Sequence, residues 1–250
     1  MTDPRLFRAP PDLLAGRVVL VTGASRGIGR AAALAFAGAG ATVVLLGRDE
    51  QRLATVYDEI EASGGPVPAA ITFDLEQAGE RDLDTIPAAI AQGLGRLDGI
   101  VHSATVTPKL APVDAVDYRT WERVLRVNFL APLALTRACL HLLKRSPDAS
   151  VIYTSESHVA HPRAYWAPVA APKAALVAAM QAQADEWSQW PHLRCNAVVP
   201  GPVASPARAY THPGESPATL PAIDTIVPVY LYLVGPASRG VSGTVVPCQG

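Results

Sequence analysis

The stretch Val18-Val19-Leu20-Val21-Thr22-Gly23-Ala24-Ser25-Arg26-Gly27-Ile28-Gly29 decides the fold. Its first four residues are a short apolar run rich in valine, which reads as a strand buried on both faces. Glycines spaced GxxxGxG then turn the chain, and the Ala-rich segment Ile28–Ala39, stopped by Gly40, reads as a helix. Such a turn lets the backbone approach a ligand closely. The helix start offers free N–H groups and a partial positive charge, which suit a pyrophosphate. Any tight strand-helix turn needs glycine, so the rest of the chain decides.

Outward from this turn, strand-like and helix-like segments alternate. Strands are predicted at Thr42–Leu46, Ala69–Phe73, Gly99–His102, Val151–Thr154, Cys195–Val199 and Gly243–Val246. Helices are predicted at Glu50–Ala62, Ile86–Leu94, Tyr118–Lys144, Lys173–Trp190 and Ile223–Val234. This alternation predicts an α/β fold of the Rossmann type, a doubly wound parallel sheet of about seven strands with helices on both faces. No linker, composition shift or repeat divides residues 1–250, so a single dinucleotide-binding domain is expected. The segment Ser205–Pro221 is rich in Pro, Gly, Ser and Thr and shows little periodicity; it is expected to be a lid loop over the substrate.

The formal net charge of −1 offers no basic footprint for a nucleic acid. Cys139, Cys195 and Cys248 form no CxxC pair, so neither a disulfide framework nor a cysteine zinc site is expected. The polar, Pro-rich segment Met1–Gly16 lacks the apolar core of a signal peptide, and no stretch approaches the roughly 20 apolar residues of a membrane span. The expectation is a soluble cytoplasmic protein.

Charge indicates the kind of dinucleotide. An NAD site places a carboxylate at the end of the second strand to hold the ribose 2′-OH. Here that place reads Leu45-Leu46-Gly47-Arg48, and a second arginine, Arg26, lies in the glycine loop. Two guanidinium groups at one place suit a 2′-phosphate, so NADP(H) is expected.

In order along the chain, these pieces resemble the short-chain dehydrogenase/reductase family. The resemblance is carried by Thr22-Gly23-x-x-x-Gly27-Ile28-Gly29, by Asp74-Leu75 after the third strand and by Leu97-Asp98-Gly99 before the fourth. It continues with Val127-Asn128-Phe129-Leu130-Ala131, Lys173-Ala174-Ala175-Leu176 and Arg194-Cys195-Asn196-Ala197-Val198-Val199-Pro200-Gly201. It implies that Gly23, Ser25, Arg26, Gly27, Ile28, Gly29 and Arg48 hold the phosphate end of the cofactor. Asp74 and Leu75 would flank the adenine, Ala104 would lie beside the cofactor, and Pro200, Gly201 and Val203 would border the nicotinamide. Lys173 would hold the nicotinamide ribose, and Asn128, from a kinked helix, would hold a water for proton relay. The family also forms homo-oligomers, dimers or tetramers, through its two long helices, here Tyr118–Lys144 and Lys173–Trp190. Their alanine face (Ala174, Ala175, Ala178, Ala179, Ala182) permits close contact.

The chain departs from the family at the chemistry. Carbonyl reduction there takes its proton from the tyrosine of Tyr-x-x-x-Lys, one helical turn before the lysine and on its face, and a serine upstream orients the carbonyl. Those places are Val169 and Glu156 here, and the family's Asn-Ala-Gly after the fourth strand is Ser103-Ala104-Thr105. Pro168 and Pro172 bracket Val169, so the helix is expected to begin late, near Lys173. Candidate substitutes are Ser155, if the strand end turns it inward, and Tyr165, if a continuous helix places it one turn before Val169. Tyr153 is expected in the core. Lys173, Asn128 and Glu156 are the catalytic candidates, and Glu156 with His158 and His161 lacks the further ligands of a metal site. The expected function is an NADP(H)-dependent oxidoreductase acting on a carbonyl or alcohol with an atypical proton donor. The alternatives are an NADP(H)-binding sensor or partner subunit, and a non-redox isomerase or lyase using Glu156.

Overall fold

The computed structural model describes residues 3–249. Seven strands, β1 (Val18–Thr22), β2 (Thr42–Gly47), β3 (Ala69–Thr72), β4 (Gly99–His102), β5 (Ala149–Thr154), β6 (Leu193–Val199) and β7 (Val245–Pro247), form one sheet in the order β3-β2-β1-β4-β5-β6-β7. Every neighbouring pair is parallel. The chain winds outward from β1 to β3, crosses back to β4 and winds the other way. That reversal leaves a crevice beyond the carboxyl ends of β1 and β4, where Thr22 pairs in register with His102.

Side chains alternate across the sheet, and two cores result. Val19, Val21, Val43 and Leu45 face one layer, which contains Phe36 of α1 (Gly27–Gly38) and Leu53 of α2 (Glu50–Ala62). Val18, Leu20, Val44 and Leu46 face the other, which contains Ile90 of α4 (Thr85–Leu94) and Leu135 of α6 (Ala131–Leu143). A four-residue helix, α3 (Glu80–Leu83), precedes α4; it is too short to show a helical periodicity.

Three expectations are corrected. The single helix expected over Tyr118–Lys144 is α5 (Tyr118–Leu125), a π-helical turn (Arg126–Leu130) and α6. The next helix, α7 (Ala167–Glu186), begins at Ala167 and not near Lys173, with Pro168 in its first turn and Pro172 inside it. Pro172 has no N–H, so the Pro168 carbonyl loses its helical donor. Burial of Val169, Ala170, Leu176 and Met180 on this helix outweighs that loss. The expected lid loop contains a helix, α8 (Pro206–Thr211), started by Ser205, whose side chain accepts the Arg208 N–H, and by a first-turn proline.

One window that runs through helix, Pro217–Val234, has mean hydropathy 1.4. Its only α-helix is α9 (Val227–Val234), packed on α1 and β5. Eight helical residues rise about 12 Å, too short to cross a bilayer.

Candidate functional site

The crevice is a cavity of about 580 Å³, walled by the residues that follow the carboxyl ends of β1 to β6. Its floor is the glycine turn. Gly23 has φ +67°, and a Cβ there would lie 2.8 Å from the Ala104 Cα; one at Gly29 would collide with the Gly23 carbonyl oxygen. The Thr22 hydroxyl accepts N–H bonds from Ser103 and Ala104, 3.1 Å each, which ties the turn to the end of β4. Arg26 caps α1 without a side-chain hydrogen bond, so the first-turn N–H groups are free to meet an anion.

Ser25, Arg26, Gly27 and Ile28 line this end, together with Arg48, Asp74 and Leu75. Gly29 does not reach the wall; its part is to let α1 start against the Gly23 carbonyl. Arg48 is not isolated. Its Nη1 lies 3.7 Å from Glu76 Oε2, while Arg123 Nε pairs with Glu76 Oε1 at 2.8 Å. Glu76 also lines the cavity, and sequence reasoning missed it. The signal available was its place two residues after Asp74, whose Oδ1 accepts the Glu76 N–H.

At the other end stand Ala104, Pro200, Gly201, Val203, Glu156, Val169 and Lys173. Lys173 is 4% exposed, and its ammonium donates to the Thr154 carbonyl at 2.7 Å. Burial pushes its pKa down to about 8, against the opposing pull of Glu156. Val169 lies one turn before it at the wall, a methyl surface where a proton donor would stand. Glu156 Oε1 accepts from the Ser157 hydroxyl at 3.1 Å, the His158 N–H at 3.3 Å and His158 Nδ1 at 2.5 Å. The His158 ring stacks on Trp166, centroids 3.8 Å apart. His158 is thereby spent on Glu156 and Trp166, and no three His, Cys, Asp or Glu side chains converge among the described residues.

Asn128 and Tyr165 lie off the cavity wall, whereas Ser155 is part of it. Asn128 is fully buried in the π-helical turn and absent from the cavity wall. Its Oδ1 accepts from Val106 N at 2.8 Å and Thr105 Oγ1 at 3.1 Å, and its Nδ2 donates to the Val106 carbonyl. The side chain clamps the loop after β4, and Thr105 in place of glycine supplies one of the bonds. Tyr165 precedes α7 at φ +72°, is 54% exposed and does not line the cavity, so it cannot stand in for the missing tyrosine. Ser155 is buried with an Oγ that has no hydrogen-bond partner, the single such side-chain atom among the described residues. Tyr153 is in the core as expected, its hydroxyl beside Thr136 and Gln183.

The segment 205–211 lines the cavity from Pro206, near Gly27, to Arg208 and Tyr210, and Arg208 is paired with Glu215 through two hydrogen bonds. Trp166, Arg208 and Tyr210 lie in segments without periodicity, and nothing in their spacing marked them.

A family model described as short chain dehydrogenase matches residues 17–216. An uncharacterized oxidoreductase of Escherichia coli (strain K12), YciK, is 38% identical over 243 residues, 97% of this chain and 96% of its own. The crystal structure of a short chain dehydrogenase from Shigella flexneri superposes with a TM-score of 0.96 at 36% identity, over 99% of this chain and 96% of that one. A structure from Escherichia coli CFT073, complexed with NADPH, superposes with a TM-score of 0.93 at 39% identity, over 96% of this chain and 100% of that one.

Proposed function

The chain belongs to the short-chain dehydrogenase family, and from that premise we propose that it is an NADP(H)-dependent oxidoreductase whose site works without a tyrosine proton donor. The supporting observation is one continuous cavity with an anion cradle and two arginines at one end and the buried Lys173 ammonium at the other. Bound there, the cofactor supplies a hydride or accepts one. The glycine turn and the first-turn N–H groups of α1 would hold the pyrophosphate, Arg26 and Arg48 the 2′-phosphate, and Asp74 and Leu75 the adenine. Lys173 would donate to the ribose hydroxyls from its anchor on Thr154. Pro200, Gly201 and Val203 would press the nicotinamide toward Val169 and Glu156. Free, buried cysteines fit work in the cytoplasm, and the exposed alanines of α7 fit assembly into a homo-oligomer.

With Val169 at the donor position, reduction of ordinary ketones should be very slow, since a positioned general acid is worth about 10²–10⁴-fold. The paired substitution Val169→Tyr with Glu156→Ser tests the reading. If the remaining site is that of a reductase, activity on simple ketones should rise by orders of magnitude. Val169 also suits a second reading, a cofactor-binding protein without turnover. A double variant that binds NADPH and stays silent on every ketone would favour it.

A further inference from the structure

We propose that the substrate end of the cavity is a cation subsite, in which the Glu156 carboxylate holds the positively charged nitrogen of an iminium or amine. The proposal rests on the hydride-transfer reading above and names its substrate class.

The carboxylate is fixed and partly unspent. All three of its hydrogen bonds go to Oε1, from the Ser157 hydroxyl and from the backbone and ring of His158. The ring is in turn clamped on Trp166, 7° from coplanar. Oε2 has no hydrogen-bond donor among the described residues, and the side chain is 26% exposed. The nearby cations, Lys173 and Arg208, feel the Glu156 charge but give it no hydrogen bond. Arg208 gives two bonds to Glu215, and the Lys173 ammonium is turned to the Thr154 carbonyl. Trp166 reaches the carboxylate through the stacked His158 ring, and Tyr210, Val127 and Pro202 line the same cavity, apolar and aromatic surfaces that favour an organic cation.

The reaction that fits this subsite needs no proton. Reduction of a ketone builds negative charge on oxygen. At this site that charge would face Glu156, with Val169 unable to neutralise it. An iminium carbon that receives a hydride forms one C–H bond with both electrons, and the C=N π pair becomes the nitrogen lone pair. A neutral amine results, the dihydronicotinamide is the reductant oxidised in the same step, and no proton changes hands. In the reverse direction positive charge grows on nitrogen beside the carboxylate. One substrate class thus accounts for both departures, the acid lost at Val169 and the anion gained at Glu156.

The probes are N-methyl-dihydroisoquinolinium, a permanent iminium cation, and tetralone, a neutral ketone of the same shape. Calorimetry on the cofactor-free protein should show the iminium binding more tightly than tetralone. Glu156→Gln should weaken the iminium on the order of 10- to 100-fold, a value inside the roughly 5- to 1,000-fold span for one ion pair between bulk-water and protein-surface screening, and leave tetralone unchanged. Glu156→Asp should restore part of the loss, and circular dichroism shows whether each variant is folded. With NADPH present, the wild type should reduce the iminium and not tetralone. Equal binding of the two probes, or an iminium affinity indifferent to Glu156→Gln, overturns the cation subsite. If NADPH still binds in that case, the cofactor reading stands without it; if NADPH does not bind at all, both fall.

Discussion

Glu76 should weaken the hold of the chain on a 2′-phosphate, and its removal should tighten NADPH binding. Its carboxylate lies 3.7 Å from Arg48 Nη1 and 2.8 Å from Arg123 Nε, in the cavity that Arg26 and Arg48 also line. A pair at this distance is worth about 4 kcal/mol at an effective dielectric constant of about 20. Arg48 is 58% exposed, however, and water screens most of that. Exposed pairs measure about 0.2–1 kcal/mol. Glu76→Gln therefore frees Arg48 at small cost to the fold, and NADPH affinity should rise about two- to fivefold with NADH affinity unchanged. Arg48→Ala should act the other way, losing about 1.5–3 kcal/mol of charge-assisted bonding, or about 10- to 100-fold, for NADPH alone.

Calorimetric titration of wild type, both single variants and the double variant closes a cycle. If Glu76 acts through Arg48, its substitution should do little in the Arg48→Ala background. The gain should also shrink at high salt, since both partners are near solvent. Equal affinity of the wild type for NADPH and NADH would refute the two-arginine argument. A weaker NADPH affinity in Glu76→Gln would show that the carboxylate supports the site.

Lys173→Ala should weaken cofactor binding in the same assay; unchanged affinity would make the lysine a bystander. Gly29→Ala should lower stability by about 1–3 kcal/mol and abolish cofactor binding, because the new methyl meets backbone and not a side chain that can yield; a denaturant titration with and without NADPH reads both. His102 is buried, paired with Thr136 and stacked on Tyr153, and burial pushes its pKa down to about 3. Only the unfolded chain takes up this proton between about pH 6.5 and pH 3, so the contribution is complete above about pH 6.5 and lost as pH falls. Denaturant titrations should lose about 2 kcal/mol between about pH 7 and pH 5, and His102→Gln should flatten that slope.

What the sequence showed and what it hid divide along physical lines. Most strands were legible because they are short, doubly buried apolar runs, and the cradle was legible because Gly29 is forced by the Gly23 carbonyl and Gly23 and Gly27 by positive φ. The start of α7 was not, because a rule about proline is local while the burial of Val169 and Leu176 is a tertiary effect. The break in the long helix left no mark in its periodicity; only the resemblance, which implies a kink at Asn128, pointed to it. The clamp from Asn128 to Thr105 and Val106 joins positions more than twenty residues apart. The sequence did mark positions 156 and 169 as the places where the family pattern ends. It could not show that Tyr165 turns away at positive φ, or that Glu76 shares Arg48 with the site.

Those two departures are better explained by a change of charge than by decay. A site that had merely lost its function would be expected to shed interactions that cost free energy to maintain. A buried ammonium is among the most expensive of these. Lys173 keeps it, on one carbonyl and at 4% exposure, beside a wall that can hold a cofactor. The carboxylate at Glu156 could have folded back toward solvent; instead three donors and a stacked His158–Trp166 pair fix it. Thr105, which replaces a glycine, is bonded to Asn128 and does not block the cavity. Among the described residues only the Ser155 hydroxyl is left buried without a partner. The substituted groups are as well satisfied as those the family pattern retains, which is what a site rebuilt around an anion requires.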